Sequence, residues 1–384
     1  MADSMYYCVK VSADGKFSDA YDLSSDLASV VWEERNCDPA MLTVVVPDPY
    51  KVMGHALREG MWLQYELGTE NDHTVVFCGI IYTVEASFPP AGIPKLTLKA
   101  YDGLKELGMH RYSAPRQDEA SIFDVVQAVV GDPSYKFATT MVDISTAFMV
   151  QEALMAQTDL AYLATLCHEH DCFMFVRANT GTSGDFTFTD AATLMKQPPD
   201  VTLSYGRTGT ANPMIEFEAT VDADSLHVPD AVSSFEWLTG APIAPIKRTP
   251  DSPLLADDPY LDENLAAIDD SEKRGKLAGL IAAAAAAEAT IQGLRLKGGE
   301  AEASEPLGPF SSVSAMQHKA ENWCSIHAFG MTGSGRTGGT PKLRASAPVQ
   351  IDDVGGRFSG KWFVTEVRHT LGREGYHTEF SCKR

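Results

Sequence analysis

The chain has 384 residues, of which 44% are hydrophobic, so it is long enough for two to four domains with substantial cores. Its formal net charge is −21, from 31 basic and 52 acidic residues, without a visible cluster of Lys and Arg. This argues against the basic face that tight binding to DNA or anionic lipid requires. An acidic surface would suit a passage through which DNA slides, or it could serve only to keep the protein soluble.

Neither a signal peptide nor a membrane span is indicated. The N-terminus becomes polar within a few residues, and the longest apolar run, Leu280–Ala287, is far too short to cross a bilayer. The seven cysteines are an odd number without CxxC pairs, which favours a reduced interior over a disulfide framework. We therefore expect a protein that is assembled in the cytoplasm of a bacterial host and does not insert into membranes.

Residues 1–107 are predicted to form strands separated by turns. The strand signals are β-branched or alternating runs at Met41–Pro47, Met61–Leu67, Val75–Val84 and Leu96–Ala100. Segments rich in Pro, Gly, Asn and Asp lie between them and are typical of turns. We expect this part of the chain to close as a first small, tube-like β-barrel.

Residues 108–200 are predicted to form a mixed α/β domain. Ser121 precedes an apolar pattern of helical period, and Asp124 stands at the capping-box position, so a helix should begin there. A second helix should follow Thr158, and a strand is predicted at Phe173–Val176. The apolar stripe of this second helix consists of Leu160, Leu163, Leu166 and Cys167.

Strands return at Val201, and residues 201–240 with 335–384 are predicted to form a second tube-like β-barrel. Residues 241–334 are predicted to be an insertion with an Ala-rich helix at 263–297 and a Gly-rich loop. A further helix is expected at about 314–328. The predicted fold class is therefore α+β and mostly β: two similar small barrels, a mixed α/β domain and a partly helical insertion.

The stretch 330–337, GMTGSGRT, matches the phosphate-loop pattern G-x-x-x-x-G-K-[ST], with Arg336 in place of lysine. A phosphate loop requires a strand before it and a helix after it, so that the N–H groups at the helix N-terminus surround the phosphates. Here a predicted helix precedes the run and a strand follows it. We therefore interpret the stretch as a flexible helix-to-strand connection that binds no nucleotide.

The segment Cys167–Cys172, CHEHDC, contains four possible zinc ligands in six residues. Adjacent ligands on a helix point to different sides, however, and Cys167 continues an apolar stripe, so a buried thiol is the preferred interpretation. His369 is interpreted as a hydrogen-bonded strand histidine rather than a base. Trp62, Trp362 and Phe363 are interpreted as core or subunit contacts. With neither Gly-x-Ser-x-Gly nor His-Glu-x-x-His present, we predict no enzyme and no catalytic, cofactor-binding or metal-binding residue.

The strongest internal signal is a repeat of one β unit. Residues 57–65 resemble residues 343–351, and residues 77–85 resemble residues 358–366. The glycines of the second pair, Gly79 and Gly360, lie at the same distance from a threonine in a short closing strand. Since three short strands do not stand alone, each copy should close as a barrel with the strands that precede it.

The C-terminal residues 358–380, FSGKWFVTEVRHTLGREGYHTEF, resemble the end of phage late-control D proteins. These are the baseplate hub proteins of contractile tails, related to the hub part of type VI secretion spike proteins. Residues 158–176 resemble the helix and strand of the family's middle domain. The runs at 43–67 and 77–85 resemble its first barrel, so about two-thirds of the chain is covered.

This resemblance implies a non-enzymatic virion protein, the structural hub of a contractile phage tail. It implies a homotrimer whose six barrels form a pseudo-six-fold ring between the hexameric tail tube and the three-fold central spike. The implied partners are the tail tube, spike, tape measure and baseplate wedge proteins, with DNA or tape measure passing through the lumen. A hub of a phage-derived contractile injection system or tailocin remains an alternative. A tail-associated cell-wall hydrolase is the alternative from another class.

Overall fold

The computed structural model describes residues 5–109, 121–144, 158–179, 184–206, 212–221, 231–236, 242–247, 265–281, 283, 304–310 and 330–384. Thirteen strands join in one large sheet, and two three-stranded sheets accompany it. The predicted α+β, mostly β fold class is confirmed. Within the described ranges, no helix is both long enough and apolar enough to cross a membrane.

The N-terminal part of the large sheet forms the first unit. Its elements are β1 (Met5–Ser12), β2 (Tyr21–Asp22), β3 (Ser29–Arg35), β4 (Met41–Pro47), α1 (Met53–Ala56), β5 (Trp62–Thr69), β6 (His73–Ser87) and β7 (Lys95–Tyr101). The strands lie in the order β3-β4-β7-β6-β5-β1-β2, and all neighbours are antiparallel. The four runs predicted from sequence correspond to β4, β5, β6 and β7.

Alternation of apolar side chains makes β4 a strand with one buried face. Leu42, Val44 and Val46 are fully buried, whereas the residues between them are only partly covered. Val9 of β1 and Trp32 of β3 lie in the same core, although their strands stand near opposite ends of this part of the sheet. The first unit is therefore a curled sheet that encloses a single core.

The mixed domain follows and has its own core. Its elements are α2 (Leu104–Leu107), α3 (Ile122–Val130), β8 (Thr139–Asp143), α4 (Asp159–His170), β9 (Cys172–Arg177), β10 (Asp185–Asp190) and α5 (Ala191–Lys196). The predicted capping box is confirmed, because the Ser121 hydroxyl accepts from the Asp124 N–H and the Asp124 carboxylate accepts from the Ser121 N–H. The Thr158 hydroxyl caps α4 by accepting from the Ala161 N–H. Helix α2 packs into this core rather than into the first unit.

Two strands then return to the large sheet, β11 (Thr202–Tyr205) and β12 (Pro213–Val221). The next three, β13 (Ala231–Glu236), β14 (Pro242–Lys247) and β15 (Ser304–Phe310), form a separate sheet with β13 in its centre. The assignment of residues 231–236 to the second barrel was therefore wrong. Residues 271–281 are helical, as predicted, whereas the helix expected at 314–328 lies outside the described residues.

The last four strands complete a closed six-stranded barrel, the second unit. They are β16 (Met331–Thr337), β17 (Ala347–Asp352), β18 (Gly360–Gly372) and β19 (Gly375–Lys383). The order β17-β11-β12-β16-β19-β18 closes because β18 also pairs with β17. Its core includes the fully buried Trp362, whose indole N–H donates to the Phe358 carbonyl at 2.9 Å.

The interpretation of the glycine-rich run as a flexible loop was wrong. Residues 331–337 are strand β16, which pairs with β12 along one edge and β19 along the other. Its backbone hydrogen-bonding groups are used in the sheet, so they cannot surround a phosphate. A methyl group on Gly333 or Gly335 would lie 2.9 Å from the Phe217 ring or 2.7 Å from the Phe380 ring. Glycine is required at these two positions because aromatic rings from the neighbouring strands occupy the space that a Cβ would need.

This packing predicts a large effect of one added methyl group. Gly335→Ala should lower the free energy of unfolding by about 1–3 kcal/mol, because both the Phe380 ring and the backbone oxygen of Glu216 are too close to the new carbon. Gly338→Ala is the matched control, since a methyl group at Gly338 meets nothing within 4 Å. Urea unfolding of both variants measures the difference. Equal stability of the two variants would refute this account of the run.

The sequence repeat corresponds to a repeat of strand pairing, with a correction to its alignment. Strands β5-β6-β7 and β17-β18-β19 have the same antiparallel arrangement, with the second strand of each set in the middle. Leu63 lies opposite Gly79, whereas its sequence counterpart Val349 lies opposite Trp362 rather than Gly360. By pairing, Gly79 therefore corresponds to Trp362, and the predicted alignment of the two glycines was two residues out of register.

The β-bulges support the corrected alignment. In β6 the register with β7 shifts between Ile81 and Thr83, and in β18 the register with β19 shifts between Val364 and Glu366. Both observations give the same offset between β6 and β18. The two positions require glycine for different reasons. A Cβ on Gly79 would lie 2.1 Å from the backbone oxygen of Tyr101, whereas Gly360 has a positive φ of 136°.

Candidate assembly interface

The two units of the chain are joined by strand pairing. Strand β18 pairs with β17 over residues 360–364 and then, along the same edge, with β3 over residues 366–371. Leu371 lies opposite Val30, and Glu366 lies opposite Arg35. The second barrel therefore continues into the first unit without a break in the sheet.

A buried ionic cluster lies beside this junction. The Glu34 carboxylate accepts from Arg344 at 2.5 and 2.9 Å, from Arg177 at 3.2 and 3.3 Å, and from the Ala345 N–H at 3.2 Å. Arg177 also donates to the Ala345 carbonyl at 2.5 Å. Because Glu34 belongs to β3, Arg177 to β9 and Arg344 to the segment before β17, the cluster ties both units to the mixed domain.

The cluster holds Glu34 ionised. Burial alone would raise its pKa, but the guanidinium groups of Arg344 and Arg177 outweigh burial and lower that pKa to about 2. Burial lowers the pKa of Arg177 to about 10, and repulsion from Arg344 acts in the same direction. Each charge is thus stabilised by its partners rather than by solvent, so the loss of one partner leaves the remaining buried charges without compensation.

His369 occupies a structural position at the same junction. Its ring stacks on Trp32 with 4.4 Å between centroids, and the Arg344 guanidinium lies 4.5 Å from the Trp32 ring centre. Its Nε2–H donates to the Leu343 carbonyl at 3.0 Å, and Nδ1 lies 2.8 Å from the Tyr376 hydroxyl. Burial lowers the pKa of His369 to about 3, so the ring is neutral. This confirms the interpretation of His369 as a hydrogen-bonded strand histidine.

Asp102 is a second buried carboxyl group at the junction. It lines a small cavity together with Glu34, Arg177 and Ala345, and its Oδ1 accepts from the Leu104 N–H at 3.1 Å. Burial raises the pKa of Asp102 to about 8, against smaller opposing effects of backbone N–H groups and Arg177. Asp102 is therefore held in its protonated form at neutral pH, unlike Glu34.

Among the strand edges that have no partner within the described part of the chain, two belong to β6 and β12 of the large sheet. β6 pairs with β5 up to Ile80, so its edge opposite β7 is open over residues 82–87. β12 pairs with β11 only at Pro213 and Met214, so its edge opposite β16 is open over residues 215–221. Large apolar side chains accompany both edges, since Phe88 is 64% exposed and Ile215 is 55% exposed.

These open edges are the counterparts of the two strands that form the internal junction. The pairing that relates β6 to β18 places Glu85 at the position of Arg368. The next strands along the sheet correspond in the same way: β7 corresponds to β19, β4 to β16 and β3 to β12. This correspondence places Thr220 of β12 at the position of Glu33 of β3. Arg368 and Glu33 lie opposite each other in the junction. The second copy of each junction strand thus presents an unpaired edge.

The residues considered as zinc ligands are not arranged around one point. Cys167 is buried in the core of the mixed domain, whereas His168 and Glu169 are exposed on α4. Among the residues that the structure describes, no group of three or more His, Cys, Asp or Glu side chains is arranged to hold a metal ion. The segment therefore contributes to packing through Cys167 and Cys172, which are both buried in the same core.

The aromatic residues singled out from sequence have different places. Trp362 is in the core of the second unit, and Phe363 packs against Phe173 of the mixed domain with 5.1 Å between ring centroids. The indole ring of Trp62 lies against Gly15, in the segment between β1 and β2. The Glu34–Arg177–Arg344 cluster was missed, because these residues are far apart in sequence and a charged residue in an alternating strand suggests an exposed position.

The chain matches no family model, and no curated protein matches it by sequence. Solved structures do match its fold. The tail protein from Neisseria meningitidis MC58 has a TM-score of 0.59 and 13% identity, with 99% of this chain and 96% of that chain covered. The 43 kDa tail protein of prophage MuSo2 from Shewanella oneidensis has a TM-score of 0.59 and 11% identity, with 99% and 98% covered.

A third match comes from a secretion system. It is an E. coli component of the type VI secretion system with reported structural similarity to the T4 bacteriophage tail proteins gp27 and gp5. Its TM-score is 0.52 at 8% identity, and 93% of this chain and 73% of that chain are covered. The chain therefore has the fold of these phage tail and type VI secretion proteins, and the resemblance predicted from sequence is confirmed at the level of the fold.

Proposed function

We propose that three copies of this chain close into a ring that acts as the structural, non-enzymatic hub of a contractile phage tail. The observation that carries the proposal is the β18–β3 junction together with the open edges of its counterparts β6 and β12. An open strand edge presents unpaired N–H and C=O groups with which a strand of another chain can pair. Pairing β6 of one copy with β12 of the next repeats the internal junction between copies.

This arrangement makes the contact between copies heterologous and allows it to close into a ring. Each chain contributes one first unit and one second unit, so three chains present six similar units. Three-fold symmetry with six similar units is what an adaptor between a hexameric tail tube and a three-fold central spike requires. The fold shared with phage tail proteins supports the same role.

The proposal retains the domain division of residues 1–107, 108–200, 201–240 with 335–384, and 241–334, except that residues 104–107 belong to the mixed domain, residues 231–236 lie outside the second barrel and residues 331–334 belong to it. The proposed partners are the tail tube, spike, tape measure and baseplate wedge proteins, in the virion baseplate. The net charge of −21 supports a lumen that passes DNA or tape measure without tight nucleic-acid binding. We propose no catalytic, cofactor-binding or metal-binding residue, and a tailocin or injection-device hub would use the same geometry.

The proposed pairing fixes which residues of two copies face each other. By equivalence with Arg368 and Glu33, Glu85 of one copy should lie opposite Thr220 of the next, with Phe88 opposite Phe217. Glu85 and Thr220 are both exposed in the single chain. Residues directly opposite each other in antiparallel strands have Cβ atoms about 4.5–5.5 Å apart. A short bismaleimide should therefore link Glu85→Cys to Thr220→Cys across copies.

The expected result is a cross-linked ladder that ends at three chains, with a native mass of three chains before cross-linking. The matched control pairs Glu85→Cys with Glu216→Cys, because Glu216 is exposed on the same face of β12 but is displaced by about 13 Å along the strand. Each single variant controls for native cysteines. Equal linkage at Glu216 would overturn the register, and a ladder that ends at two or six chains, or a protein that stays monomeric alone and with its spike, would overturn the ring.

A further inference from the structure

Three cysteines from separate elements meet where the first unit contacts the mixed domain. Cys37 lies in the turn between β3 and β4, Cys167 in α4, and Cys172 at the start of β9. The Cys37 side chain packs against the core that contains Cys167 and Cys172, and its Sγ lies 3.8 Å from the Cys172 carbonyl oxygen. The Cys37 and Cys167 thiols also influence the pKa of each other. Cys37 of the first unit therefore adjoins the two buried cysteines of the mixed domain.

Cys37 and Cys167 differ in a way that suits sequential oxidation. Cys37 is only partly buried, and its interaction with the Cys167 side chain lowers its pKa against the effect of burial. Cys167 is buried, and burial raises its pKa well above the usual value. Oxidants react with the thiolate form of an accessible cysteine. Cys37 is thus the thiol that reacts first, and Cys167 is the thiol placed to react with its product.

Cys172 is less well placed to be that second thiol. It meets Cys37 through its backbone carbonyl, and its own Sγ donates to the His170 carbonyl at 3.3 Å. The backbone at Cys37 is also constrained, with a φ of 60° in the left-handed region that a cysteine rarely adopts. From this turn, the Cys37 side chain packs against the core of the mixed domain.

We propose that Cys37 and Cys167 are a site of reversible oxidative modification, at which a peroxide creates a disulfide between the first unit and the mixed domain. The Cys37 thiolate attacks one oxygen of hydrogen peroxide, and the O–O bond breaks to give a sulfenic acid and hydroxide. The Cys167 sulfur then attacks the Cys37 sulfur, and the sulfenic hydroxyl leaves as water with the thiol proton. Two thiols lose two electrons, one peroxide is reduced to two waters, and a thiol reductant reverses the link.

The disulfide would link the first unit covalently to the mixed domain at a point where only non-covalent contacts otherwise join them. A thiol pair stays reduced in the cytoplasm and oxidises outside the cell. The link would thus form after assembly, in the oxidising environment, and would resist separation of the mixed domain from the first unit. The inference depends on the position of Cys37 against the cysteines of the mixed domain and stands independently of the ring.

Peptide mapping of the full-length reduced protein tests the proposal. After graded hydrogen peroxide, blocking of remaining thiols and digestion without reductant, we expect a peptide that joins Cys37 to Cys167 and has lost two hydrogens. The oxidised protein should melt at a higher temperature than the reduced protein, and dithiothreitol should reverse both changes. A Cys37–Cys172 link, a link between chains, or blocked but unlinked Cys37 and Cys167 would each overturn the proposal.

Variants separate the two steps. Cys37→Ser should abolish the link and the shift in melting temperature. Cys167→Ser should leave the Cys37 sulfenic acid to be trapped by dimedone. Cys382→Ser is the matched control, because Cys382 is buried in the core of the second unit. The Cys37–Cys167 link should form unchanged in this variant. The wild-type peptide map remains decisive if a variant fails to fold.

Discussion

Replacing Glu34 by alanine is expected to lower the free energy of unfolding by about 3–5 kcal/mol. The substitution leaves Arg177 and Arg344 buried next to each other without the carboxylate that accepts from both. It also leaves the Ala345 N–H without its acceptor. Urea unfolding followed by tryptophan fluorescence measures the loss, since Trp32 lies against Arg344 in the same junction.

The matched control for this prediction is Glu366→Ala. Glu366 also forms an ion pair between the two units, with Arg35 at 2.9 Å, but both side chains are largely exposed. Removing an exposed pair should change the free energy of unfolding by only about 0–1 kcal/mol. A Glu34→Ala variant as stable as Glu366→Ala would show that the buried cluster does not hold the junction together.

The second large effect is a dependence of stability on pH through Asp102. Its pKa is about 8 in the folded protein and lies near the ordinary value of about 4 in the unfolded chain, so the folded state binds the extra proton between these values. Stability from this group is fully present below about pH 4 and is lost as the pH rises toward 8. The slope expected inside this window is about 1.4 kcal/mol per pH unit.

Asp102→Asn should remove that slope, because asparagine keeps the shape of the protonated acid without its titration. The variant should therefore gain stability relative to wild type between pH 5 and pH 8, measured by urea unfolding at each pH. His369 acts in the opposite direction, since its lowered pKa stabilises the folded state at high pH and loses that effect as the pH falls below about 6.5. Both proteins contain His369, so the difference between them isolates Asp102. A constant difference across the range would contradict the prediction.

The joint location of these two effects has a consequence for assembly. Glu34 and Asp102 line the same cavity, beside the strand pairing that the proposed ring repeats between copies. A variant that weakens this junction should alter the geometry between the two units and thus the closure of the ring. The cross-linking yield between Glu85→Cys and Thr220→Cys would report that change, which links stability of the chain to assembly in one measurement.

Local structure could be predicted from the sequence to a useful extent. Strand β4 was predicted with its observed bounds, and the helices that begin after Ser121 and Thr158 were placed correctly. Alternation of side chains and helix capping depend on neighbours within a few residues, so they can be read without the fold. The repeated β unit and the resemblance to the fold of phage tail proteins were also found from the sequence, through likeness between segments.

The glycine-rich run shows where local signals fail. Three glycines in GMTGSGRT favour a loop on propensity, yet the run is a strand with partners on both edges. Its conformation is decided by Phe217 and Phe380, which occupy the space that larger side chains at Gly333 and Gly335 would fill. A residue's neighbours across a sheet are not visible in its own segment of sequence.

The sequence by itself determined the strand periodicity, the mixed domain between two β-rich parts and the duplication of the β unit, because each depends on the order of nearby residues or on likeness between segments. Only the tertiary structure decided the register of that duplication, the closure of the second barrel and the cluster around Glu34. Glu34 and Arg344 are 310 positions apart along the chain, so no local pattern relates them. Strand pairing brings them together, and burial then makes their charges matter, because a charge removed from water must be stabilised by its partners.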